Sequence, residues 1–205
     1  MKAPSGTKEI TMKLLVLSTV FELLLIGFLC GILAIRRKNL VTLFGLCAVP
    51  PLQIFTRAAL FLLAALPGVV ALTGLTSLFK AEPEEQEIVM FFRDHVKHLD
   101  LPAVIAVSIT ACIVAPMVEE FIFRGYLYPT LKRYLGPLAS AVFVSALFAL
   151  VHANVSSMLG LFALALCLTA AYEKTGSLLV SMAMHSFFNT LSLVIMGWQM
   201  THAAP

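Results

Sequence analysis

Along this chain, apolar residues come in long unbroken runs instead of in the alternating or three-four patterns of a half-buried element. A helix needs about 20 mostly apolar residues to cross a bilayer. By that measure about six spans are expected, near Leu14–Ile35, Val49–Phe79, Leu101–Val118 with an extension to Tyr134, Pro137–Val151, Met158–Tyr172 and Leu178–Trp198. The second carries Pro50, Pro51, Pro67 and Gly68, which predicts a bend or an interfacial entry. No ten-residue alternating segment of barrel type occurs, so the expected fold is all-α, a polytopic transmembrane helical bundle. The first run lacks a small-residue cleavage site before Arg36-Arg37-Lys38 and is read as a retained span. Its Gly27-x-x-x-Gly31 permits close helix contact, but such motifs recur by chance.

The polar breaks between runs add topology. Arg36, Arg37, Lys38 and Arg57 follow the first span, Lys132 and Arg133 the third, and Lys174 the fifth. With six spans these places fall on one side, read as cytoplasmic, and Lys2, Lys8 and Lys13 argue mildly the other way. The stretch from Lys80 to Asp100 is the most polar. Its acidic side includes Glu82, Glu84, Glu85, Glu87 and Asp94. Ile88, Val89, Phe91, Phe92 and Val96 give it an apolar face, so an amphipathic connector is expected. The chain therefore divides into residues 1–100, N-terminal spans with this connector, and residues 101–198, a core that carries the chemistry.

Composition turns this reading into a firm one. The chain is 60% hydrophobic and 12% charged, about half the charge of a soluble domain, with a mean hydropathy of +0.96. From Leu101 to Pro205 only seven residues are charged, too few to cover a water-facing surface, so lipid is the solvent. A net charge of +3, clustered at span ends, gives no nucleic-acid footprint. Cys30, Cys47, Cys112 and Cys167 are isolated in apolar runs and are expected as small buried hydrophobes.

Against that background, ionisable groups inside the spans stand out, because a charge deep in a bilayer costs at least about 2.5–3.5 kcal/mol. Glu119, Glu120 and Arg124 lie in one apolar stretch. Glu120 and Arg124 are four apart, share a helix face and can pair. Glu119 is rotated by about 100° and can point into a cavity. The alternative is that both glutamates share Arg124 at a membrane edge. Phe148 and His152 are also four apart, so the ring can wall the imidazole. Taken alone, a His in a helix is more often a packed core residue than a catalyst. His185 and Asn189 repeat the spacing, and alone they would read as helix–helix glue.

Depth joins the three pairs. Glu119 lies 17 residues before Gly136 and His152 lies 16 after it. At 1.5 Å per residue both stand about 25 Å above a turn at Leu135-Gly136-Pro137. His185 and Asn189 reach about 15–21 Å above the turn at residues 173–177. Four polar side chains can therefore meet. A carboxylate with a neutral imidazole can deprotonate water, and a His/Asn donor pair can stabilise an oxyanion, which together describe hydrolysis of an amide. Ser145, Ser181 and Ser186 lack a Gly-x-Ser-x-Gly context, and no His-Glu-x-x-His occurs. A zinc held by Glu119, His152 and His185 remains chemically reasonable.

The run Glu119-Glu120-Phe-Ile-Phe-Arg124-Gly125, then Phe148-Ala-Leu-Val-His152, then His185-Ser-Phe-Phe-Asn189, resembles the CPBP (CAAX protease and bacteriocin-processing, or ABI) family, over roughly Leu101 to Met196. The resemblance implies an intramembrane protease in which Glu119 and His152 activate water, His185 and Asn189 form the oxyanion site, and Glu120 and Arg124 support them. It leaves two cofactor readings open: none in a glutamate-dependent mechanism, Zn2+ in a metalloprotease. The expected partners are membrane lipid and a membrane-associated or lipidated peptide or protein, with no nucleic acid. The expected location is multi-pass in a prokaryotic cytoplasmic membrane. The other classes weighed are a proton- or ion-coupled transporter, disfavoured because no internal repeat is visible, and a non-catalytic scaffold.

Overall fold

The computed structural model describes residues 5–76, 87–97 and 100–202. Among these, all regular structure is helical and no strand occurs. The order is α1 (Ser5–Ile35), α2 (Leu40–Leu43), α3 (Pro51–Thr76), α4 (Glu87–Lys97), α5 (Leu101–Ile109), α6 (Ala115–Glu120), α7 (Tyr128–Val151), α8 (Met158–Thr175) and α9 (Leu178–His202). Two π-helical segments, Thr110–Val114 and Phe121–Leu127, join α5 to α6 and α6 to α7.

Five runs are long and apolar enough to cross a membrane: Val16–Ile35, Pro51–Thr76, Leu101–Val151, Val155–Thr175 and Leu178–Met200. The protein is an integral membrane protein. The third run has 51 residues and folds back on itself. Gly136 takes φ 76° and ψ 171°, a conformation that side chains with a Cβ rarely adopt, and Pro137 follows without a donor N–H. Phe123 and Phe148 consequently meet edge to face with ring centroids 5.1 Å apart. Twenty-five residues of straight helix would separate them by about 37 Å. This doubling-back gives the six helical arms that the hydrophobic pattern predicts.

Helix α3 packs on α8 and α9 around Ala58, Leu62, Ala65, Val69, Leu164, Leu168, Val180 and Met184. Close approach of α3 and α8 depends on Gly160, where a Cβ would overlap the Thr73 hydroxyl. The expected second span is one helix from Pro51 to Thr76 that continues through Pro67, so Pro50 and Pro51 mark its start. Proline is tolerated there because the first-turn N–H groups have no helical partner. Phe79, its expected end, lies outside the described residues, as do Lys80, Glu82, Glu84 and Glu85.

Within the polar connector, α4 buries Phe91, Phe92 and His95 and packs on Ala103 and Val107 of α5 and on Leu193 and Met196 of α9. The amphipathic face thus rests on protein as well as lipid. The side chains of Ile88 and Val89 lie outside the described residues. The cysteines are free, but Cys47 is exposed and the other three are half-buried. Cys47 sits in the loop between α2 and α3, so it falls outside every packed run. Gly27 and Gly31 have nothing within contact distance.

One end of the bundle collects the basic clusters. Leu178 N–H donates to Phe44 O at 3.0 Å, which joins the loop after α1 to the turn before α9. Lys132 pairs with Glu173, and Tyr128 donates to the same carboxylate at 3.0 Å. Arg36–Lys38, Lys132, Arg133 and Lys174 therefore share one end, and the polar centre lies further along the bundle.

Candidate active site

Glu120 and Arg124 have no exposed surface. Arg124 Nη1 donates to Glu120 Oε1 at 2.8 Å, Nη2 donates to Ala165 O at 2.8 Å, and Nε donates to Thr169 Oγ1 at 3.4 Å. The guanidinium carbon sits 4.8 Å from the centre of the Phe148 ring. This is the ion pair expected from the four-residue spacing, here anchored to α8.

Glu119, one residue earlier and rotated away from that pair, keeps 28% of its side chain exposed. Its Oε2 lies 3.9 Å from His152 Nε2 and 3.8 Å from His185 Nε2. Both imidazoles are oriented from behind. His152 Nδ1–H donates to Phe148 O at 2.7 Å, and His185 Nδ1–H donates to Glu120 Oε1 at 3.0 Å. Because a carbonyl or carboxylate can only accept, each Nδ1 carries the hydrogen, and Nε2 is the ring atom turned toward Glu119. Two imidazole nitrogens and a carboxylate thus converge, and Glu119 Oε2 has no hydrogen-bond partner among the described residues. Such a cluster needs a donor, and a water is the smallest group that serves two of them at once.

Phe148 links the parts. Fully buried, it lies 4.6 Å from the His152 ring and 5.7 Å from the His185 ring, centroid to centroid. The contact with His152 follows from spacing. Those with His185 and Arg124 come from other helices, and sequence alone carries no sign of them.

Asn189 occupies a different niche. In the first π segment, Ala115 N–H bonds to Thr110 O, five residues back. The next in line, Pro116, has no N–H, so Ala111 O is left open. Asn189 Nδ2 donates to that carbonyl at 2.8 Å, tying α9 to the segment that carries Glu119. Its second amide hydrogen is not used by this bond.

As a zinc site the arrangement does not close. Tetrahedral ligands at 2.0–2.2 Å from zinc sit about 3.3–3.6 Å from each other. The Glu119 separations of 3.8 and 3.9 Å are wider. Among the described residues no group of three His, Cys, Asp or Glu meets metal-holding geometry.

One residue went unremarked in the sequence reading. Glu22 lies inside the α1 span, its Oε2 is buried without a partner among the described residues, and it interacts electrostatically with Glu119. The signal was available: it is the single Asp, Glu, Lys or Arg between Val16 and Ile35.

Helical arms around a half-buried carboxylate, two imidazoles and a buried Arg–Glu pair define a polytopic membrane protein with a polar centre. Residues 101–191 match the family model described as type II CAAX prenyl endopeptidase Rce1-like, so this segment is similar to that family. No curated protein and no solved structure matches the chain.

Proposed function

We propose that the protein is an intramembrane endopeptidase in which Glu119 acts as general base. The observation that carries this reading is Glu119 Oε2 set 3.8–3.9 Å from the Nε2 atoms of both His152 and His185. A water bridging Glu119 and His152 gives its proton to Glu119 as its oxygen adds to the carbonyl carbon of the scissile bond. Charge develops on the carbonyl oxygen. His185 Nε2, held in place by the Nδ1–H bond to Glu120, and the spare Asn189 amide N–H face it as the oxyanion site. Glu119 then passes its proton to the leaving nitrogen, the C–N bond breaks, and a carboxylic acid and an amine remain, the acid's proton passing on to the amine.

Glu120 and Arg124 hold His185 in register, and Phe148 walls both imidazoles. The substrate class follows from location: a membrane-associated peptide, either one with a lipidated C-terminal CAAX-type end or an unlipidated membrane peptide of the bacteriocin kind. The host membrane we propose is a prokaryotic cytoplasmic one, with the basic end inside.

The test is cleavage by detergent-purified protein of a panel holding lipidated and unlipidated membrane peptides. Wild type is expected to cut at least one member, and Glu119→Ala and His152→Ala to lose that cleavage while remaining folded. Cleavage by Glu119→Ala at the wild-type rate would refute the assignment.

A further inference from the structure

Helix α1 presents one stripe to the rest of the molecule. Ile26, Leu29, Cys30 and Leu33 pack on the Phe44, Phe121 and Leu178 cluster. Glu22 lies four residues before Ile26, so it continues this stripe one turn beyond its apolar end. Helix α1 also packs on α6, which carries Glu119, and on Thr110–Val114 before it. Glu22 is half-buried, with its Oε2 covered, while Phe21, Leu23 and Leu24 around it are exposed to lipid. The carboxylate therefore faces inward.

Glu22 and Glu119 carry like charges that interact electrostatically, and each has one buried oxygen with no hydrogen-bond partner among the described residues. Two neighbouring carboxylates repel less when one donor is shared between them, as a proton on either carboxyl or a water between both. Such an arrangement costs stability in a span, where apolar residues would pack without penalty. The other groups acting on Glu119 are His152 beyond the end of α7, His185 on α9 and the Arg124 charge. None of them belongs to α1.

We propose that Glu22 is a positioning residue of the reaction centre: through a shared hydrogen it holds the Glu119 carboxylate turned toward the two imidazoles. This rests on Glu119 being the base. Helix α1 is thereby a working wall of the site and more than an anchor.

The experiment compares Glu22→Gln, Glu22→Leu and Glu22→Asp with wild type for kcat, KM and melting temperature, using whichever panel peptide the wild type cleaves. Glu119→Gln runs alongside. For Glu22→Leu, kcat is expected to fall about 10–100-fold, as for other outer partners of a reactive group, with KM nearly unchanged and no loss of melting temperature. Glu22→Asp should recover part of the loss. Wild-type kcat in Glu22→Leu and Glu22→Gln overturns the proposal. So does a parallel fall of kcat and melting temperature in every variant with no recovery by Asp, which marks a structural residue. An active Glu119→Gln would instead overturn the reading of Glu119, so the two failures are distinguishable.

Discussion

Glu120 Oε1 accepts from both Arg124 Nη1 and His185 Nδ1, with none of its surface exposed. Truncating it leaves a buried guanidinium uncompensated and frees the imidazole. Glu120→Ala is therefore expected to cost about 3–5 kcal/mol, read as a large drop in melting temperature in detergent, with cleavage lost as well. An unchanged melting temperature would contradict the ion pair. The contrast with its neighbour is a matter of angle. Four residues separate Glu120 from Arg124, so their pairing can be read directly from spacing, and the 100° offset of Glu119 releases it to the cavity. Glu22 shows the limit of such reading. It has no spaced partner on its own helix, and only the packing of α1 against α6 brings it to Glu119.

The helical arms were legible because unbroken apolar runs leave few alternatives, and the reversal at Gly136 because Gly-Pro ends a helix. The π segments were not. They shift which carbonyl meets which N–H without any change in composition, and they flank the glutamates on both sides. Their effect is testable through Asn189. Asn189→Leu should destabilise the fold by about 0.6–2 kcal/mol, because Ala111 O loses its donor. In a Pro116→Ala background the same change should cost less, since residue 116 regains an N–H. Equal costs in both backgrounds, measured by thermal unfolding, would argue against proline opening that carbonyl. At the reversal, Gly136→Val should cost about 1–2 kcal/mol, because a β-branched side chain is strained at φ 76°. A melting temperature equal to wild type would contradict the tight reversal.

At the scale of the molecule, the near-equal distances of Glu119 and His152 from the Gly136 turn become one polar level, and α9 delivers His185 to it. Depth counting captured this because helical rise is nearly constant. It could not capture the side-to-side placement of helices, which depends on packing such as that of α3 against α8 and of Phe148 against three charged or polar rings and groups. Nor could it foresee that Asn189 would be partly occupied by a backbone carbonyl. The central claim is that one carboxylate in a lipid-enclosed pocket removes the proton from water. Its most direct test is the single-turnover cleavage rate of Glu119→Gln, which keeps the shape and removes the base, measured beside its melting temperature. The expected result is a rate lower by about 10²–10⁴-fold with unaltered melting; a folded Gln variant that cleaves as fast as wild type would contradict it.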